Sequence, residues 1–338
     1  MDIYDLLAPL DPLKRLSGYS SPEIYNTFVQ KKGWSGLPWL AFAAFGKLWI
    51  LSSQSKGVPI LSRFISARNP ALVISVIPLL NRTLLRAIRQ CGLKARLLTV
   101  MLDLRECAKG IWLEDRNQTL FCFTSEARQQ CLEFGIPADH VFQIGRPPIR
   151  EQFFRPAAGA AVRAALRVPL STHTGLMMFG AQGADRMYKY AKALFTQTDD
   201  FLLFACGQND SLRKRAERDF PAERMRAFTF LDDIAPLYAA SDYVVSKPGP
   251  STIWEAAWMN RPLVLELNAS TALQERFHAQ WADRKGLAIL FNNPSSLVQA
   301  VSAVKRPQWR EEFEKRVLRV TTVDADELTN ALRTLIMG

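Results

Sequence analysis

Histidine is scarce. The 338 residues contain only His140, His173 and His278, so a metal centre or an imidazole-driven mechanism has few candidates. The five cysteines, Cys91, Cys107, Cys122, Cys131 and Cys206, are odd in number and form no C-x-x-C pair. This argues against a disulfide framework or a zinc site and favours a reducing compartment. The N-terminus, Met1-Asp2-Ile3-Tyr4-Asp5, is acidic where a secretory signal is basic. There is no internal repeat at a solenoid period, no low-complexity tract and no RNA- or DNA-binding signature. The one nearly charge-free run, residues 34–51, is interrupted by Gly36, Pro38, Gly46 and Lys47, which makes it a poor spanning helix.

What is present is enough for two ordinary domains, with 48% hydrophobic residues to fill two cores. A net charge of +11 and a pI near 9.6 suggest an acidic partner, such as an anionic lipid or a phosphorylated substrate. Nucleic acid fits the charge but nothing else. Short apolar runs alternate with amphipathic segments: strands are expected over 71–77, 96–102, 119–123 and 141–144, then over 175–179, 201–205, 227–231, 243–246, 263–267 and 287–290. Such a βαβ rhythm implies parallel sheets covered by helices, in one domain over 1–150 and a second over 151–338. The aromatic run 34–51 reads either as a buried helix of the first domain or as an interfacial segment on a membrane surface, with Lys31 and Lys32 beside it.

The most informative stretch is Ser241 to Ala256. Tyr243 to Ser246 is a short apolar strand, Lys247-Pro248-Gly249-Pro250 is turn punctuation, and Thr252 to Met259 is a helix stopped by Asn260-Arg261-Pro262. A strand, tight turn and helix in an α/β sheet leave first-turn N–H groups at the carboxyl edge, where a diphosphate is suited. The alternative is a Thr-x-x-Glu capping box, Thr252 with Glu255, in which Gly249 merely serves the turn.

Lys247-Pro248-Gly249-Pro250-Ser251-Thr252-Ile253-Trp254-Glu255-Ala256 resembles the Lys-Ala-Gly-Pro-Gly-Thr-Ile-Ala-Glu-Ala signature of monogalactosyldiacylglycerol synthases. Those are relatives of the bacterial peptidoglycan N-acetylglucosaminyltransferase, and the similarity runs from about Pro70 to Phe291. It implies an α/β fold of GT-B architecture, with two Rossmann-like doubly wound domains facing a cleft. A UDP-sugar donor, a lipid or other hydrophobic acceptor and no metal are the implied chemistry. The implied location is cytoplasmic or peripheral on a membrane, since the synthases are monotopic.

The resemblance also proposes site residues. In Phe179-Gly180-Ala181-Gln182-Gly183, Gly180 and Gly183 keep two of the family's phosphate-loop glycines. Cys206-Gly207-Gln208-Asn209 is similar to its Cys-Gly-Arg-Asn, which adds Gly207 and Asn209. Pro250, Ser251 and Thr252 would face the diphosphate, Lys247 and Gly249 would belong to the same nucleotide-sugar site, and Glu255 would accept from the ribose hydroxyls. Gln274 and Glu275 keep the Gln-Glu of the family's sugar-contact motif, although they could equally form a solvated helix start.

The first domain departs most from the family. Ile77 and Ala108 stand where the synthases have histidines, and no Gly-rich loop precedes residue 33, so this domain is expected to be truncated relative to theirs. An inverting transfer needs a base at the acceptor hydroxyl. Asp103 and Glu106 are the acidic candidates, though Asp103 could serve only as a cap. The competing expectation is a repurposed enzyme of small-molecule metabolism on the same scaffold, or an inactive one.

Overall fold

In the computed structural model, residues 56–155, 157–269, 271–321 and 327–337 are described; the run 34–51 lies outside them. The chain forms two compact units that divide after Pro147, and the helix Glu327–Met337 groups with the first of them. The sequence had suggested a division at 150 with everything later in the second domain.

The first unit carries a parallel four-stranded sheet: β1 (Leu72–Ser75), β2 (Arg96–Val100), β3 (Thr119–Cys122) and β4 (Val141–Gln143), in that order across the sheet. Helix Asn81–Gln90 joins β1 to β2 and buries Leu84 and Ile88 against Leu97 of β2 and Leu61 and Ile65 of helix 56–66. Between β3 and β4 lies helix Ser125–Phe134. Its start is set by Thr124, whose side chain accepts from the Ala127 N–H, and its end by Gly135 at φ 94°, a left-handed cap that favours glycine. A second cluster packs Met101, Trp112, Leu120 and Cys131 behind the sheet.

The second unit is a six-stranded sheet: β5 (Thr174–Met178), β6 (Phe201–Ala205), β7 (Met225–Phe228), β8 (Tyr243–Ser246), β9 (Leu263–Glu266) and β10 (Ala288–Phe291). All neighbours pair in parallel, in the order β10-β9-β8-β5-β6-β7. Numbered within the unit this is 3-2-1-4-5-6, the doubly wound order, which reverses between β5 and β8. Central strands β6, β8 and β9 are buried along their whole length, which is why they read as continuous apolar runs. One expected strand is displaced: 227–231 becomes Met225–Phe228. Pairing of Met225 with Leu202 carries the Met225 side chain into the core and leaves Phe230 45% exposed.

Candidate functional site

Ligands of doubly wound sheets bind outside the carboxyl ends of the strands where the order reverses, so the loops after β5 and β8 define the candidate site of the second unit. After β5 the chain turns through Gly180 and Gly183, at φ 76° and 64°. A Cβ on Gly183 would stand 1.8 Å from the Cys206 carbonyl oxygen, and one on Gly207, at φ 57°, 2.2 Å from that of Ala181. The loops after β5 and β6 are therefore interlocked backbone to backbone, with the Gln208 N–H donating to the Ala181 oxygen at 2.8 Å. Asn209 completes the lock. Its amide donates to the Gly183 oxygen (3.1 Å) and to Asp185 (2.8 Å), while its carbonyl caps helix Asp210–Asp219 by accepting from the Leu212 N–H. Gly183, Gly207 and Asn209 thus shape the site from beneath.

The turn after β8 is built differently. Ser246 is fully buried and its hydroxyl donates to the Met178 carbonyl at 2.6 Å, tying the ends of β8 and β5 together. Helix Pro250–Trp258 begins at Gly249 with Pro250 in its first turn and no side-chain cap. The alternative Thr252–Glu255 capping box does not form, because Gly249, not Thr252, occupies the N-cap. The backbone N–H groups of Ser251 and Thr252 have no acceptor among the described residues, as first-turn donors do when nothing caps them. Gly249 has an ordinary φ of −70°, and a Cβ there would meet only the Thr252 hydroxyl, at 3.8 Å. Neither backbone strain nor a close contact demands glycine at this position, although an N-cap favours it over alanine.

Glu255 projects from the second turn of that helix. Its Oε2 accepts the phenol hydrogen of the buried Tyr238 at 3.0 Å. Burial raises its pKa above the usual carboxylate value, opposed by the Tyr238 hydrogen bond and the positive charge of Arg150. The other oxygen, Oε1, has no acceptor-side partner among the described residues and can receive a hydroxyl donor. Lys247 is held by Glu275 at 3.0 Å, with both side chains largely buried. Glu275 and Gln274 lie in the first turn of helix Leu273–Arg284, and the buried His278 of the same helix places Nδ1 3.3 Å from the Pro248 carbonyl.

Sequence reasoning missed a carboxylate at the end of β9. Glu266 is fully buried; both oxygens accept from Arg186 Nε (3.0 and 2.8 Å), and Oε1 also accepts from Tyr190 (2.6 Å) and Asn268 (2.9 Å). The signal was available. An acid inside the apolar run Leu263-Val264-Leu265-Glu266-Leu267 requires a buried partner.

In the first unit the two proposed bases have different surroundings. Glu106 is 6% exposed, and its Oε1 accepts three backbone N–H groups, from Ile111, Trp112 and Leu113, at 2.8 to 2.9 Å. That carboxylate holds a loop. Asp103 is half-buried, and its Oδ2 accepts the Trp112 indole N–H at 2.8 Å. Glu114, not anticipated, accepts from the N–H groups of Asn81 (3.0 Å) and Arg82 (3.4 Å) at the start of helix Asn81–Gln90. Burial raises its pKa to about 7, against the lowering effect of those two N–H groups and the Arg82 charge.

The fold and these loops define a scaffold of GT-B architecture. More particularly, residues 176–326 match the glycosyltransferase family 28 C-terminal domain and residues 50–149 match the monogalactosyldiacylglycerol (MGDG) synthase family, so the resemblance to these glycosyltransferases holds in both units. A processive diacylglycerol beta-glucosyltransferase of Bacillus cereus (strain 03BB102) is 23% identical over 247 residues, which are 72% of this chain and 62% of that relative. Among solved structures, MurG of Acinetobacter baumannii superposes with a TM-score of 0.58 at 15% identity, over 86% of this chain and 78% of that one. The UDP-GlcNAc 2-epimerase of Methanocaldococcus jannaschii gives 0.55 at 14%, over 84% and 82%. These structural likenesses establish the fold.

Proposed function

We propose that the protein transfers a hexose from a UDP-sugar to a lipid or other hydrophobic acceptor, with inversion at the anomeric carbon. The observation that carries this reading is the turn after β8. Unpaired Ser251 and Thr252 N–H groups, a glycine the chain does not itself need and a Glu255 oxygen open to a ribose diol stand together at the strand-order reversal. The names of the relatives, a diacylglycerol glucosyltransferase and a UDP-GlcNAc epimerase, support a sugar nucleotide and a lipid acceptor. In the transfer, the acceptor oxygen bonds to the anomeric carbon as the bond from that carbon to the phosphate oxygen breaks. UDP leaves with the electron pair, and the acceptor proton passes to a base, for which Asp103 is the candidate. Glu106 is already committed to three N–H groups. No metal is invoked.

The first unit also supports contact with an anionic membrane surface. From Lys56 to Leu102 the chain has no Asp or Glu, and Arg63, Arg68, Arg86, Arg89, Lys94 and Arg96 are exposed, together with Ile74 (56%) and Val76 (48%). Basic side chains around exposed apolar ones suit an acidic lipid surface. No described helix is long and apolar enough to cross a membrane.

Ile77 at the family's histidine position favours a second reading, a sugar-nucleotide enzyme or binding protein that has lost transfer. Calorimetric titration with UDP and UDP-sugars, with Glu255→Ala as control, decides the first step. Saturable binding that the variant loses supports the donor site, and an acceptor screen with diacylglycerol vesicles then separates transfer from its loss. Absence of binding at millimolar nucleotide would sink sugar transfer.

A further inference from the structure

We propose that Arg186 is the side chain that recognises the diphosphate of the nucleotide, aimed at it by the buried carboxylate of Glu266. The assignment rests on the donor reading above and adds a residue that neither motif nor family match points to. Arg186 lies three residues after Gly183 in the segment following β5, and Glu266 ends β9. Strand β8 lies between β5 and β9 in the sheet. The Arg186–Glu266 link therefore bridges from the β5 side of the strand-order reversal to the far side of β8, the strand that runs into the uncapped turn at Lys247–Pro250.

The hydrogen bonding of this link is asymmetric. Glu266 is satisfied, because its oxygens receive Arg186 Nε, the Tyr190 phenol and the Asn268 amide. Arg186 is not. Only Nε is engaged, and the two Nη groups have no acceptor among the described residues, while the side chain keeps 17% exposure against 1% for Glu266. Arg–carboxylate pairs frequently form a bidentate fork that engages two guanidinium nitrogens. Here one corner of the guanidinium is fastened, and the Nη groups make no hydrogen bond to the carboxylate. A planar array of donors held at a fixed angle suits the oxygens of a phosphate. The Phe179 ring, 5.2 Å from the guanidinium carbon, further limits the rotamers.

Glu266 is a positioning residue in this scheme, and its removal alone would release Arg186. Conversely, removing Arg186 alone would leave a buried carboxylate without its cation and endanger the fold. The test is therefore calorimetry on the full chain with UDP and with uridine, comparing wild type, Arg186→Gln and the doubly neutral Arg186→Gln/Glu266→Gln. Losing charge-assisted bonds to a phosphate is expected to weaken UDP binding roughly 10- to 100-fold in both variants while uridine affinity stays within about twofold. Retained uridine binding also reports an intact site. Equal weakening of UDP and uridine, or unchanged UDP affinity, overturns the assignment and leaves Arg186–Glu266 as a structural tie. A wild-type protein that binds neither ligand overturns the donor reading itself, and this assignment with it.

Discussion

The loops that flank the two sheets treat their polar groups in opposite ways. In the first unit they are turned inward. Gln118, fully buried, accepts from the Glu114 and Asp115 N–H groups and donates to Thr99 and to the Trp112 carbonyl, Glu106 gathers three N–H groups, and Glu114 sits on a helix start. In the second unit the turn after β8 keeps donors and space that its own chain does not use. Inward satisfaction makes a scaffold; unused donors beside an unneeded glycine make a binding surface. The difference separates residues that hold the fold from residues that can hold a ligand, although all of them sit in loops of the same kind.

The largest effect tests a place where the second unit is closed like the first. Gly183→Ala would put a Cβ 1.8 Å from the Cys206 carbonyl at a residue with φ 64°. The interlocked loops would have to separate. A loss of more than about 4 kcal/mol is expected, enough to remove the cooperative thermal transition of the second unit. A variant that melts like wild type would show that the lock is illusory.

Next comes Glu106→Ala, which strands two buried N–H groups and a part-buried one at once. About 3 kcal/mol or more should be lost in urea unfolding, and Glu106→Gln, which keeps an acceptor oxygen, should lose clearly less. If Glu106 were instead the base of the reaction, Gln would abolish turnover without a stability change. This pair of variants therefore assigns the residue to scaffold or chemistry.

Glu114 sharpens the comparison through pH. Its folded pKa, about 7, lies above the usual 4.5, so the folded protein holds a proton that the unfolded chain releases within that window. The stability this contributes is present below about pH 4.5 and is lost as pH rises through 7. Over the full window the linkage amounts to about 3 kcal/mol. Glu114→Gln cannot ionise, so its stability relative to wild type should climb by up to that amount between pH 4.5 and 8. A flat difference across the titration would mean that the carboxylate is already ionised when folded.

Much of the second unit was legible in the sequence because buried central strands must be apolar throughout, as in Phe201 to Ala205 and Tyr243 to Ser246. Its turn at Lys247–Pro250 was legible because proline and glycine constrain the backbone locally. The buried acid at Glu266 left a signal, but its partner Arg186 did not, because their pairing spans 80 residues and depends on β8 lying between β5 and β9. The surroundings of Glu106 were hidden for a similar reason: nothing in Asp103-Leu104-Arg105-Glu106 signals that residues 111–113 fold back over its carboxylate. Asn209 belonged to a family motif, yet all its polar capacity goes to the loop lock and the helix cap. A short motif identifies a loop; only the hydrogen-bond partners show which way its groups face.

The smallest stability effect belongs to Gly249→Ala, and it probes the open side of the comparison most directly. The backbone there is at φ −70°, and the nearest contact for a Cβ is the Thr252 hydroxyl at 3.8 Å. The free protein should tolerate alanine within about 1 kcal/mol, since neither strain nor overlap is introduced and only the weaker N-cap preference of alanine is lost. If a diphosphate approaches the Ser251 and Thr252 N–H groups, the added methyl group stands in its path, and UDP affinity should fall at least about tenfold. Unchanged melting with lost nucleotide binding would show that the glycine answers to a ligand and not to the fold. Unchanged melting with unchanged binding would mean that the unused N–H groups face water alone.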